Sequence, residues 1–181
     1  TQTSIQTLND FKSITFAGGS DTIEKMLIEK LGATQISVRT LNISSSIRQK
    51  KTNAYIGPAL WVVGSQLYTS FQYVTPIKIR YSPAALVLTQ KSWNKIPSKY
   101  HQRIKTISYE KGILICKKIR TDAQRALMAM EKYGLKIIDV APDDLSVIET
   151  KCRPVWAETT GTVYPKKILH EIQGHIKTIR N

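Results

Sequence analysis

The sequence predicts an α/β fold: a lobe built on a parallel sheet, then extended segments, a long helix and closing helices. Short strand patterns at residues 13–17, 35–38 and 53–56 are separated by helical patterns of about ten residues, as in parallel βαβ units. A glycine pair, Gly18 and Gly19, ends the first strand just where a helix begins. A helical pattern then runs nearly unbroken from Ser98 to Gly134.

Each element has a local reason. Residues 13–17 (SITFA) read as a strand. The helix after it has Asp21 and Glu24 in the spacing of a capping box, with Ile23, Met26, Leu27 and Leu31 on one face and Gly32 as its C-terminal stop. Residues 35–38 give a second strand, 42–50 a second helix and 53–56 a third strand. Residues 58–70 read as a helix carrying Leu60, Trp61, Val63, Leu67 and Tyr68. Two extended segments, 72–80 and 84–89, flank a turn at Tyr81, Ser82 and Pro83, and a short helix around Trp93 ends at Ile96 and Pro97.

The long pattern would make a helix of about 54 Å at 1.5 Å per residue. That exceeds the core of one small domain, so it should bridge two lobes or break, with Gly112 as the weak point. A strand at 135–140, a helix begun by Pro142 and Asp143, and a terminal helix from Pro165 close the chain.

Composition sets bounds. The apolar fraction of 41% and charged fraction of 22% are those of a folded globular chain. No apolar run is long enough to span a bilayer as a helix, and no signal peptide is visible. That leaves a cytosolic protein or a mature chain whose export signal has been removed. The net charge of +14 raises nucleic acid as a partner, but the longest run of Lys or Arg is two residues, and no RNA-recognition motif or Cys/His finger spacing accompanies it. Cys116 and Cys152, in helical patterns 36 positions apart, match neither a metal spacing nor a CxxC pair. They read as two buried free thiols, with a single disulfide as the alternative.

No catalytic set is present. His101, His170 and His175 fall on polar helical stretches and read as surface histidines. The five-residue spacing of His170 and His175 does not suit a helical zinc site. Asp143, Asp144, Glu149 and Glu158 read as helix-start and solvent-face acids. No enzyme activity, cofactor or metal is therefore expected. Two places invite a ligand instead. Gly18, Gly19 and Ser20 have the strand–glycine–helix layout whose backbone N–H groups take anions, although a plain βα turn explains them too. Tyr55, Ile56, Gly57, Pro58 and Trp61 put an aromatic cluster at the end of the third strand, as a pocket wall or as a core tryptophan under a loop.

The order of these pieces resembles the substrate-binding proteins of TRAP (tripartite ATP-independent periplasmic) transporters, dicarboxylate type. Residues 7–16 (TLNDFKSITF) resemble the start of that family's second half, and Leu31, Gly32 and Ala33 the segment after its first helix. Residues 46–54 (SIRQKKTNA), 71–75 (FQYVT), Tyr81 to Pro83, Val87 and Leu88, and 93–97 (WNKIP) resemble successive later motifs. The resemblance runs from about Thr7 to Ile179. It implies a periplasmic-binding-protein-like fold with crossing strands, a long bridging helix and an incomplete first lobe, since family members are roughly twice as long. It divides the chain into a ligand-binding lobe at 1–72, and crossing strands, a hinge helix and C-terminal helices packing on both lobes at 73–181.

The function this resemblance implies is that of a non-catalytic solute-binding protein, or a fragment of one, periplasmic or membrane-tethered, delivering a small ligand to integral membrane transporter subunits. The family's clamping arginine falls at Ala17 here, so its organic-acid ligands do not carry over. The predicted cleft is lined by Phe16, Ala17, Gly18, Gly19, Ser20, Tyr55, Ile56, Gly57 and Trp61. Arg39 with Thr40, and Arg80, lie near it on this alignment. Such a wall suits a largely apolar ligand. The rivals are a basic, non-specific nucleic-acid-binding or scaffolding protein, and an enzyme whose catalytic residues lie in a missing half.

Overall fold

Strand β1 (Thr15–Gly18) lies between β2 (Thr34–Ser37) and β3 (Ala54–Tyr55), and all three run parallel. Ala17 pairs with Ile36 on one side and with Tyr55 on the other. This is the three-stranded βαβ sheet the sequence predicts, with the first two strands displaced by a residue or two. The computed structural model describes residues 1–81 and 84–180. Ser82 and Pro83 of the predicted turn lie outside the described residues.

Helix α1 (Thr22–Lys30) follows β1. The Asp21 carboxylate accepts the Glu24 N–H at 2.7 Å, which fixes its start. At its end Gly32 takes φ +82°, while the Gly32 and Ala33 N–H groups donate to Glu29 and Ile28 at 3.0 and 3.1 Å. Those two bonds form a Schellman motif, and the left-handed residue inside it suits a glycine. Helix α2 (Ile43–Arg48) ends with the same pair of bonds, Lys50 and Lys51 donating to Ile47 and Ser46, but here Lys50 holds φ +56°.

Packing follows from these elements. Phe11, Ile14, Phe16, Leu27, Ile28 and Leu31 cluster with Ile148 of α6 (Pro142–Cys152) and Val155 of α7 (Pro154–Thr159). The apolar face of α1 is thus covered by α6 and α7, which return to it from the far end of the chain. A second, two-stranded parallel sheet pairs β4 (Tyr73–Val74) with β5 (Lys136–Ile137). Helix α8 (Lys166–Arg180) closes the chain.

The compact units do not follow chain order. Unit 1 is Thr1–Ile56, Leu67–Ile79 and Gly134–Asn181, and holds both sheets; unit 2 is Gly57–Gln66 and Arg80–Tyr133. Unit 2 contains α3 (Ala59–Gly64), α4 (Gln90–Asn94) and α5 (His101–Lys132), with α3 packed on α5. No described helix is long and apolar enough to cross a membrane.

Several expectations need correction. The helix predicted at 58–70 stops at Gly64. Gln66 adopts φ +57°, and a 3-10 turn follows at Leu67–Ser70, with Leu67 buried. Of the extended segment 72–80 only Tyr73 and Val74 join a ladder, and residues 84–89 join none. Helix α5 passes through Gly112 unbroken, because one interior glycine costs only about 1 kcal/mol in a helix of 32 residues. The cysteines are free but not buried. Cys116 is exposed, while Cys152 is half-buried, and its thiol is pushed up to about 11, chiefly by desolvation. His101 is no plain surface histidine: its ring stacks on Trp93 at 4.2 Å and its Nε2 lies 2.9 Å from the Ile96 carbonyl.

Candidate functional site

In unit 1 the carboxyl ends of three parallel strands meet at one sheet edge: β1 at Gly18, β2 at Ser37 and β3 at Tyr55. The strand order β2-β1-β3 means that the chain leaves β1 toward one side and later returns on the other. In open α/β sheets, ligands bind outside the carboxyl ends of the strands where the strand order reverses, and here the order reverses at β1. The Gly18–Gly19–Ser20 turn and the Tyr55–Ile56 strand end flank that point.

The predicted residues divide by role. Phe16 and Ala17, at 3% and 2% exposure, belong to the core, where Phe16 faces Phe11 with ring centroids 6.5 Å apart. Side chains so committed hold the edge in place. Gly18 is buried, Gly19 and Ser20 are exposed, and the Gly18 carbonyl accepts the Val38 N–H at 2.9 Å, tying the ends of β1 and β2. Arg39 and Thr40 follow that tie and are exposed, Arg39 at the start of the 3-10 turn Thr40–Asn42. Tyr55 is half-buried, and desolvation raises its phenol above the usual value, which keeps the hydroxyl protonated and able to donate. Ile56 packs against the core cluster.

Gly57, Trp61 and Arg80 belong to unit 2, and the division between units falls between Ile56 and Gly57, inside the predicted cluster. Trp61, on α3, is 46% exposed, so it is not the core tryptophan that the alternative reading of this segment offers.

Two residues outside the predicted set hold the glycine turn. Gln35, on β2, donates from Nε2 to the Gly19 carbonyl at 3.1 Å and to Glu24 Oε1 at 3.3 Å. Both partners are acceptors, which fixes the amide orientation. Its Oε1 is buried without a partner. A Cβ on Gly18 would overlap the Gln35 amide and lie 2.7 Å from Glu24 Oε1, so this glycine is required by its neighbours. Glu24 is 8% exposed. The sequence marks it only as the fourth residue of a capping box. The usable signal was a glutamine in a strand beside a strand-ending glycine.

The chemistry of this edge differs from an anion cradle. The start of α1 is capped by the Asp21 carboxylate, and a second carboxylate, Glu24, sits one turn in. Acidic side chains of the chain itself already occupy the positive end of the helix. Among the described residues, no group of three or more His, Cys, Asp or Glu could hold a metal ion.

The chain belongs to the family described as bacterial extracellular solute-binding protein, family 7 (DctP), which matches residues 1–162. Its fold is that of solved TRAP periplasmic solute-binding proteins. One from Ochrobactrum anthropi, with a C-terminus bound in its ligand-binding pocket, superposes with TM-score 0.85 at 16% identity, over 97% of this chain and 55% of that one. Another, from Desulfovibrio salexigens in complex with diglycerolphosphate, gives 0.81 at 18% identity, over 99% and 57%. A third, from Pseudomonas aeruginosa with bound L-malate, gives 0.76 at 14% identity, over 87% and 55%. The chain thus spans little more than half the length of these structures. Among curated proteins none matches the chain.

Proposed function

We propose that this chain is the ligand-capturing part, or a large portion of it, of a TRAP-type transport system. It works outside the cytoplasm, periplasmic or tethered to the membrane, and hands a small solute to integral membrane subunits without chemical change. The observation that supports this best is the parallel-strand edge at a topological switch point in a chain of the solute-binding family.

The ligand reading is more specific. The relatives' bound molecules, diglycerolphosphate and L-malate, carry anionic groups. On the motif resemblance the family's arginine position falls at Ala17, and the Asp21 side chain already caps the nearby helix start, with Glu24 one turn in. An anion there would leave water without a guanidinium partner, at a cost of several kcal/mol. We therefore read the solute as largely apolar, with one polar end able to meet the exposed Gly19–Ser20 turn or the Tyr55 hydroxyl. Apolar contact at about 25 cal/mol per Å² supplies useful affinity for such a molecule.

The test is chemical-shift mapping on isotope-labelled chain with medium-chain alkanols, short dicarboxylates and glycerol phosphate at millimolar concentration. The expected result is that alkanols shift the amides of residues 18–20, 38–40 and 55–56, while both anions leave them unmoved. Dicarboxylate-induced shifts at the same amides, abolished by Arg39→Ala or Arg80→Ala, would show that a relocated arginine restores the clamp and would overturn the apolar reading.

A further inference from the structure

Helix α8 is patterned for two solvents. Its apolar residues Ile168, Leu169, Ile172, Ile176 and Ile179 fall within one arc of about 100°, at about 100° per residue. Lys166, Lys167 and Lys177 come on the other side of the helix and are exposed. The sequence of α8 holds four basic residues and one acid. A narrow apolar stripe beneath a basic polar face is the pattern of a helix that lies in the plane of a membrane surface.

The stripe is open. Ile168, Ile172 and Ile179 are 43%, 52% and 84% exposed, while Leu169 and Ile176 are half-buried. Among the described residues, the side-chain bonds of α8 stay inside it: Thr178 donates to the Gly174 carbonyl at 3.1 Å, and Lys167 pairs with Glu171 at 3.7 Å. A Cβ on Gly174 would meet nothing within 4 Å. The family match ends at residue 162, before this helix begins.

Charge decides what covers the stripe. A second copy of the helix would set basic residues against basic residues, with one acid on each side to offset them. A nucleic acid would meet the lysines and leave the apolar stripe in water. A bilayer with anionic headgroups satisfies both faces: its phosphates meet the long lysine side chains, and Ile168, Ile172 and Ile179 enter the boundary of the acyl chains. The net charge of +14 adds attraction to such a surface from the chain as a whole. We infer that α8 is an interfacial anchor that docks this chain on an anionic lipid surface. The use of such an anchor, bringing a captured solute to membrane subunits, rests on the proposed transport function; the binding itself does not.

Vesicle co-sedimentation tests this on the 181-residue chain, with phosphatidylcholine alone and with phosphatidylglycerol mixed in. The expected result is partitioning about tenfold or more stronger onto the anionic vesicles, with the amides of 166–180 the ones that broaden. Ile172→Glu should weaken that binding by about tenfold or more. Lys166→Glu combined with Lys177→Glu should remove the preference for anionic lipid. These three positions are exposed, so the unfolding midpoint should hardly move. Undiminished binding by Ile172→Glu would mean that the overall charge alone holds the chain there, and would overturn the inference. Equal binding to neutral vesicles, binding to neither, or a lipid-free dimer with 166–180 protected from exchange would overturn it too. None of these outcomes bears on the alkanol shifts at residues 18–20 and 55–56, so this idea and the ligand reading fail separately.

Discussion

In the sheet unit Ile14, Ile28 and Ile148 are 1%, 0% and 0% exposed, whereas on α5 Ile113 and Ile119 stand 42% and 48% open. The residue type is the same, and the difference is whether a second layer faces it. Around β1 the chain supplies that layer itself, folding α6 and α7 back onto α1 across more than a hundred residues of sequence. Among the described residues nothing comparable covers Ile113 to Ile115 in the middle of α5. A sheet with amphipathic helices can complete a core from its own elements, while a short run of consecutive apolar residues on one helix leaves some of them without a facing layer.

The largest effect that could break this contrast comes from shaving one isoleucine in each region. Ile28→Ala should cost about 2–5 kcal/mol, because it removes buried methyl groups and leaves a cavity in a closed core. Ile113→Ala should change stability by about 0.5 kcal/mol or less, since the side chain is half open and alanine is the better helix former. Urea unfolding followed by circular dichroism reads both. A cost above about 1 kcal/mol at Ile113 would mean that the chain already shields the middle of α5.

Glycines give the next step down. At Gly18 a Cβ would overlap the Gln35 amide, while at Gly112 it meets nothing within 4 Å. Gly18→Ala should therefore lose about 1–3 kcal/mol through overpacking. Gly112→Ala should gain about 0.5–1 kcal/mol by stiffening the unfolded chain. Combining Gly18→Ala with Gln35→Ala should return part of the loss, which separates the clash from any general weakness of the strand. Equal costs for Gly18→Ala with and without Gln35 would remove the amide from the account.

Where the sequence was legible, short-range physics decided the outcome. The three strands, the Asp21 cap and the Gly32 stop all follow from spacing and from what glycine alone does easily. Lys50 makes the same helix stop as Gly32 with an ordinary residue in the left-handed region, and no local pattern announces that. Gly112 invited a break that helix cooperativity overrode. The edge of the sheet was readable as a place, but Phe16 and Ala17 turned out to belong to the core, and the strut from Gln35 to Gly19 and Glu24 depends on a parallel register fixed only in three dimensions. Residues 84–89 look like a strand in sequence because they have a strand's composition. A ladder also needs a partner, which composition cannot supply.

The smallest effect distinguishes how the two units hold a carboxylate. Asp10, in the turn before β1, accepts the Gln6 and Thr7 N–H groups at 2.9 and 2.8 Å, and these backbone bonds hold it below its ordinary value of 3.8. Asp122, on α5, is held below the same value by Lys118 first and then Arg125, at 3.0 and 3.3 Å. Both folded values are depressed, so each contribution to stability is fully present above about pH 3.8 and is lost as pH falls through the folded value. Salt should separate them. At 1 M the screening length shrinks to about 3 Å, which weakens a solvent-facing ion pair far more than a pair of fixed backbone donors. Carbon-detected titration of the side-chain carboxyls should therefore show Asp122 relaxing toward 3.8 in high salt while Asp10 hardly moves. Equal movement of the two would mean that the turn before β1 is held by the basic charge of the chain rather than by its own backbone. The claim that unit 1 completes itself from local and packed elements would then lose one of its supports.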